Sequence, residues 1–233
     1  MNSGLAARRR FVLVLGLLTG LAAVSVDLSL PAIPQMVDAL GTRMSLGQLI
    51  VGLFMGGIAF GQLPAGLLSD RLGRMPVLYG GIALFTVAAL VCAISTSIEL
   101  MLAARFVQGL GASVGIVVAR AIVRDIASGK AAARLMSVLV MIFTVAPMLA
   151  PIVGGFLVTG WGWRMPFVAI VVFGAAIFYS MHLTLQETHI PSREHHIARQ
   201  LWLSLREFFS HPQSVLGVLL VLLPAAGYMA IIT

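Results

Sequence analysis

The chain has 233 residues, of which 60% are apolar and 10% charged, and its mean hydropathy is +1.04. Soluble domains carry about 25% charged residues, so this composition excludes an ordinary water-soluble globule. The net charge of +7 does not point to nucleic acid, because the basic residues lie in short loops and form no continuous face with aromatic partners.

A helix needs about 20 mainly apolar residues to cross a bilayer. In chain order, such runs occupy 11–31, 47–67, 76–96, 99–122, 134–158, 164–185 and 213–233. The pattern predicts an all-α membrane protein. A six-helix bundle fills 1–185, a polar loop follows over 186–212, and a seventh transmembrane helix occupies 213–233.

The first run follows "RRRFVL", which resembles a twin-arginine export signal. Its apolar stretch is longer than a signal-peptide core and leads into no soluble domain, so a retained span is expected. Within it, "VSVDLSLPAIP" places Asp27 at membrane depth. A carboxylate there costs about 2.5–3.5 kcal/mol on insertion scales and calls for a partner or a purpose. Arg105, inside the fourth run, is the natural partner. Counted from Phe11 at helical rise, Asp27 lies ~24 Å in, or ~6 Å short of the far side of a ~30 Å core. Arg105 lies ~9 Å below that same side. A structural ion pair between the two spans and a titrating Asp27 are both compatible with this match. Gln108, one turn below Arg105, extends the polar patch. Gln62, in the second span, fits either cavity lining or packing.

Small residues recur at four-residue spacing: Gly16 and Gly20, Gly52 and Gly56, Gly57, Gly61 and Ala65, Gly111 and Gly115. Such spacing lets membrane helices approach closely, whether as fixed packing or as sliding seams. "GLGASVG" lacks the strand–turn–helix setting of a dinucleotide fingerprint. Cys92 is the only cysteine and supports neither a disulfide nor a metal site. "VAPMLAPIVGG" sets Pro147 and Pro151 four residues apart ahead of Gly154 and Gly155, which predicts a bent fifth helix at a helix seam. Trp161 and Trp163 fit interfacial anchors, with ligand stacking as the rival.

The basic residues fall unevenly. One side of the spans takes Arg8, Arg9, Arg10, Arg71, Arg74, Arg120, Arg124, Lys130, Arg134, Arg193, Arg199 and Arg206; the other takes Arg43 and Arg164. The basic side is expected to be cytoplasmic, which puts the N-terminus inside. In the 186–212 loop, Arg193, Glu194, His195, His196 and Arg199 read as a solvated linker rather than a metal site. Its "LWLSLREFF" fits a helix lying on the inner membrane surface.

Together these stretches resemble the Major Facilitator Superfamily, and within it the drug–proton antiporters of the bicyclomycin-resistance type. "GLLSDRLGRMP" is similar to the family's GxLxDRxGRxP loop between helices two and three, with Gly66, Asp70, Arg71, Gly73 and Arg74 at motif positions. "RFVQGLGASVG" is similar to the fourth-helix motif through Arg105, Gln108 and Gly109, and "SVDLSLPAIP" to the first-helix motif through Asp27, Pro31 and Pro34. "APMLAPIVGG" resembles the antiporter motif, although Ala150 stands where glycine usually precedes the second proline. "ARAIVRD" looks like the subfamily's fourth-helix end. The matches cover most of residues 20–160.

The resemblance implies a twelve-helix fold in two six-helix halves that exports drug-like small molecules in exchange for protons by alternating access. It implies that Asp70 and the arginines form a cytoplasmic latch, touching the opposite half in one access state. The missing C-terminal half is an expected partner, although a homodimer could in principle supply two halves, and the chain is expected to be a fragment, a truncated product or an incompletely read sequence. It also implies a multi-pass protein of the cell inner membrane, with a drug-like substrate, protons and lipid as partners and no cofactor or metal. A non-transporting remnant or membrane assembly partner is the alternative. An enzyme is not expected, since no nucleophile–base pair or metal cluster stands out. Direction of transport and substrate identity are left open by the sequence.

Overall fold

The computed structural model describes residues 2–190 together with Arg206, Ser210, His211 and Leu216. The chain divides into two compact units, Met1–Ser192 and Arg193–Thr233. Apart from Arg206, Ser210, His211 and Leu216, the expected seventh span at 213–233 and the 186–212 loop beyond residue 190, with "LWLSLREFF" and the paired histidines, lie outside the described residues.

Among the described residues every element is helical. Helix α1 runs Asn2–Ser29 and passes through a 3-10 turn, Leu30–Ala32, into α2, Ile33–Ala39. The turn coincides with Pro31 and precedes Pro34, each of which removes a backbone donor. Then come α3 (Met44–Leu72), α4 (Arg74–Ile94), α5 (Ile98–Ile126), α6 (Gly129–Trp161) and α7 (Met165–Thr184). Six segments are long and apolar enough to cross a membrane, the first of them Arg9–Ala39. They correspond to the six expected spans but extend beyond several of them. Backbone hydrogen bonding carries a helix past the apolar band into the headgroup region, where hydropathy no longer marks it.

The turn expected around 66–76 is shorter than the sequence suggests. Gly66–Leu72 is still α3 and Arg74 already belongs to α4, so the reversal rests on Gly73 alone, at φ 97° and ψ 162°. Side chains other than glycine rarely adopt this conformation.

Helix α5 lies at the centre, packed on α3, α4 and α1, while α1 also packs on α6 and α7. The α3–α5 crossing is backbone on backbone. A Cβ on Gly57 would strike the Phe106 carbonyl and come within 3.0 Å of Gly109 Cα. A Cβ on Gly111 would lie 2.6 Å from the Gly81 carbonyl of α4. The expected small-residue seams are therefore real for Gly57, Gly61, Gly111 and Gly115. Gly56, by contrast, faces open space, and Gly52 meets only Leu49 of its own helix. The second seam on α3 is not used within this unit.

Helix α6 stays helical through Pro147 and Pro151. Gly154 seats against the Leu28 carbonyl of α1, whereas Gly155 meets nothing. The proline–glycine stretch thus lies at a seam, as expected, but one glycine of the pair makes it. Beyond this contact α6 is largely unburied, with Met148, Ile152 and Phe156 each about 70% exposed. Trp163 is buried and packs edge-on to Phe167, while Trp161 is exposed. Only Trp161 keeps the exposed setting an interfacial anchor requires.

Candidate functional site: a buried guanidinium and a basic-side charge cluster

Arg105 is the largest fully buried side chain of the unit. Its terminal nitrogens donate to Gln108 Oε1 at 3.0 Å, Ser29 Oγ at 2.7 Å and Ser25 Oγ at 3.4 Å. Gln108 Nε2 also donates to Ser25 Oγ at 3.4 Å. Ser29 passes its own proton to the Val26 carbonyl at 2.8 Å, which leaves its lone pairs for the arginine. The guanidinium carbon sits 4.8 Å from the Phe54 ring centre and 5.5 Å from that of Phe167, so two aromatic faces share the charge. Nε has no partner.

The ion pair expected between Asp27 and Arg105 is not formed. Asp27 is half-buried and makes no hydrogen bond or ion pair among the described residues. The reason is azimuth, not depth. At about 100° per residue, Ser25 and Ser29 share one face of α1 and Asp27 points about 160° away from each. The serines, spaced i and i+4, were the sequence signal for what faces Arg105. The depth estimate alone could not see it.

The second cluster is built around Arg74, whose side chain is 6% exposed. Its Nε donates to Asp125 Oδ2 at 2.9 Å and Nη2 to Asp125 Oδ1 at 3.3 Å, a two-pronged pairing with the end of α5. Nη1 donates to Ser69 Oγ at 2.8 Å and closes an ion pair with Asp70, whose side chain is 58% exposed. Arg71 is half-buried and stands outside this network. Gly66 contributes its carbonyl to the Ser69 hydroxyl at 2.8 Å.

The chain beyond α7 then returns to cover the reversal. Glu187 Oε1 accepts from the Arg74 amide at 2.8 Å and Oε2 from the Met75 amide at 3.0 Å, so it caps the start of α4 from 113 residues away. The amides of Thr188 and His189 donate to the same carboxylate, each at 3.1 Å. Thr188 Oγ1 donates to Asp125 at 3.1 Å, and His189 Nε2 lies 3.0 Å from the Asp70 carbonyl. Burial opposes ionisation of Glu187, but its four amide donors outweigh this and hold the carboxyl below the usual carboxylate range. Gly73 leaves room for the group: a Cβ there would sit 2.7 Å from Glu187 Oε2.

Of the motif residues, Gly66, Asp70, Gly73 and Arg74 come together and Arg71 does not. The sequence reading gave Asp125 no role and missed Glu187, Thr188 and His189. A signal for Asp125 existed: a carboxylate in the last turn of a helix opposes the helix dipole and calls for a cation. In this structure Arg74 is fastened inside its own bundle, to Asp125, Ser69 and Asp70. The exposed Asp70 carboxylate is the group that retains open valence.

Six helices long and apolar enough to cross a membrane, with a buried guanidinium inside and a charge-stapled turn at one end, define a multi-pass helical membrane protein. Residues 15–233 match the sequence profile of the Major Facilitator Superfamily, and the chain belongs to that family. It is 34% identical to multidrug resistance protein D of Escherichia coli, over 76% of this chain and 45% of that protein. It is 33% identical to a bicyclomycin resistance protein homolog of Haemophilus influenzae, over 83% of this chain and 50% of the relative. An uncharacterized MFS-type transporter of Bacillus subtilis, YdgK, is 37% identical over 78% of this chain and 46% of its own length. The chain therefore spans about half the length of the curated relatives it matches. The crystal structure of the human organic anion transporter MFSD10 superposes with a TM-score of 0.64 at 23% identity, over 81% of this chain and 51% of that one. At that identity the likeness concerns the fold alone.

Proposed function

We propose that this chain forms the N-terminal half of a proton-coupled exporter of drug-like small molecules. It resides in the cell inner membrane with its N-terminus in the cytoplasm, and it works by alternating access against a second six-helix half. The observation that carries the reading is the division of labour inside the bundle. Arg105 is fixed by neutral partners, while Asp27, on the opposite face of α1, is a half-buried carboxylate that no cation among the described residues neutralises. A fixed buried cation sets the local potential, and an unpaired carboxylate is free to exchange a proton as access changes. The names of the multidrug and bicyclomycin resistance relatives favour efflux, and the basic bias of one side favours the orientation. Asp70, anchored through Arg74 yet exposed, is the acceptor that engages the opposite half when the inner side closes. The exposed face of α6, with Met148, Ile152 and Phe156, supplies the surface on which that half moves.

The test is substrate-driven proton movement in proteoliposomes holding the chain together with a C-terminal half. Asp27→Asn is expected to abolish coupled proton release while substrate still binds. Undiminished coupling in this variant would overturn the reading.

A further inference from the structure

Helices α3, α5, α1 and α6 pack in succession as a row, and α4 and α7 pack on each other behind α5 and α1. The second half of the proposed function meets the open side of the row, so the outer face of the α4–α7 pair turns away from it, toward lipid. A narrow groove of about 260 Å³ lies on that pair, lined by Ala83, Thr86 and Val87 of α4 and Ala175 and Phe178 of α7. It is smaller than the roughly 300–1,000 Å³ of small-molecule sites. Among the described residues no Lys, Arg, Asp or Glu lines it. It therefore suits a hydrocarbon chain, not a drug or a free anion. Two contacts shape it. Gly174 lets α7 approach α4, since a Cβ there would strike the Thr86 hydroxyl. That hydroxyl donates to the Ile82 carbonyl at 2.8 Å, which leaves no polar hydrogen for the groove. Phe178 stands edge-on to Tyr79, with ring centres 5.2 Å apart.

A polar pair crowns the groove at the basic end of the bundle. The Tyr79 hydroxyl lies 3.4 Å from His182 Nδ1, and the His182 side chain is exposed. Tyr79 stands near the start of α4 and His182 in the last turn of α7. Val87 and Ala175 lie ~10–12 Å deeper at helical rise, so both helices run from polar to apolar in the same direction. The proton shared by the pair decides what it shows outward. If the hydroxyl donates to Nδ1, the Nε2–H is the free donor and the hydroxyl lone pair the free acceptor. If the Nδ1–H donates, the hydroxyl proton is the free donor and Nε2 the free acceptor. Either tautomer of the neutral ring thus offers one donor beside one acceptor. A phosphate oxygen takes the donor, and a primary ammonium takes the acceptor. A quaternary ammonium has no N–H to give, and a glycerol hydroxyl gives only a neutral bond, about half as strong.

We infer that this groove binds one phospholipid with a primary-ammonium head, its phosphate and ammonium on the Tyr79–His182 pair and one acyl chain laid between α4 and α7. This rests on the proposed function only for the face given to the second half. Lipid retention holds or fails whether or not the chain couples transport to protons.

The full chain is tested in nanodiscs holding phosphatidylcholine, phosphatidylethanolamine and phosphatidylglycerol in equal amounts, with retained lipid counted by native mass spectrometry. Phosphatidylethanolamine is expected to be retained over the other two. Tyr79→Phe and His182→Phe are each expected to lower that preference about fivefold, as for one hydrogen bond lost. Ala83→Trp fills the groove from an exposed position without touching the pair, and is expected to lower phosphatidylethanolamine retention as well. Tyr179→Phe removes an exposed hydroxyl from the same helix but outside the groove, and is expected to leave retention unchanged. Equal loss in that control would mean a diffuse interfacial preference and overturn the site. So would equal retention of all the lipids by the native chain, or full retention in Ala83→Trp. Displacement of the lipid by excess free phosphoethanolamine would make it a headgroup site without a chain and overturn it too.

Discussion

Gly73→Ala tests whether the single-residue reversal and the returning Glu187 form one device. Two costs are built into the geometry. The backbone at φ 97° and ψ 162° is strained by about 1–3 kcal/mol for a residue with a Cβ. The new Cβ, 2.7 Å from Glu187 Oε2, also pushes the carboxylate off its amides. Buried charge-assisted bonds are worth about 1.5–3 kcal/mol each, but this group is solvent-exposed, so screening brings the set to about 1 kcal/mol in total. The expected loss is about 2–4 kcal/mol, a fall in Tm on the order of 4–16 °C for a unit of this size. The assay is thermal unfolding in detergent, run as a cycle with Glu187→Ala. In the alanine background Gly73→Ala should cost only the strain, about 1–3 kcal/mol. Strict additivity of the two changes, or a shift within 1 °C for Gly73→Ala alone, would refute the account.

Asp125→Asn keeps the shape but removes the charge that faces Arg74 Nε. It is expected to cost about 1.5–3 kcal/mol as a charge-assisted pair whose arginine keeps Asp70 as a second partner, read in the same assay, whereas Asp70→Asn should cost under about 1 kcal/mol because that carboxylate is mostly solvated. Ser29→Ala withdraws the 2.7 Å acceptor from Arg105 and should cost about 1.5–3 kcal/mol; Ser25→Ala, at 3.4 Å, should cost less, and the reverse order would contradict the geometry. The Glu187 cap carries a pH signature. Its folded pKa is depressed, so its contribution is complete above the unfolded value of about 4.3 and fades as pH falls through the lower folded value. The stability gap between the native chain and Glu187→Gln should therefore narrow on acidification in that range; a gap that widened would reverse the assignment.

Hydropathy alone located six spans because the cost of burying charge in hydrocarbon leaves a one-dimensional mark on the chain. The same is true of the small-residue seam at Gly57 and Gly61, which a four-residue period announces. What the sequence hid is what depends on direction or distance. Asp27 and Arg105 share a depth but not a face, and only the pairing of Ser25 with Ser29 would have revealed the azimuth. Gly52 and Gly56 carry the same spacing as the working seam, yet nothing local distinguishes a face packed inside the unit from one left open. Glu187 lies in a polar stretch that reads as linker, and a cap contributed from the far end of the bundle has no local pattern. The charged turn was legible as a motif, but its anchoring within one bundle required the fold.

The long separation between Arg74 and Glu187 also has a meaning for biogenesis. At about 5–20 residues per second, a ribosome needs roughly 6–23 s after making Arg74 to deliver the acid that caps it. At its start only the first two spans precede Arg74, and the next four are made while the start of α4 stays unsealed. The arrival of α7 completes it, so the nascent bundle carries its own signal that all six crossings have been made.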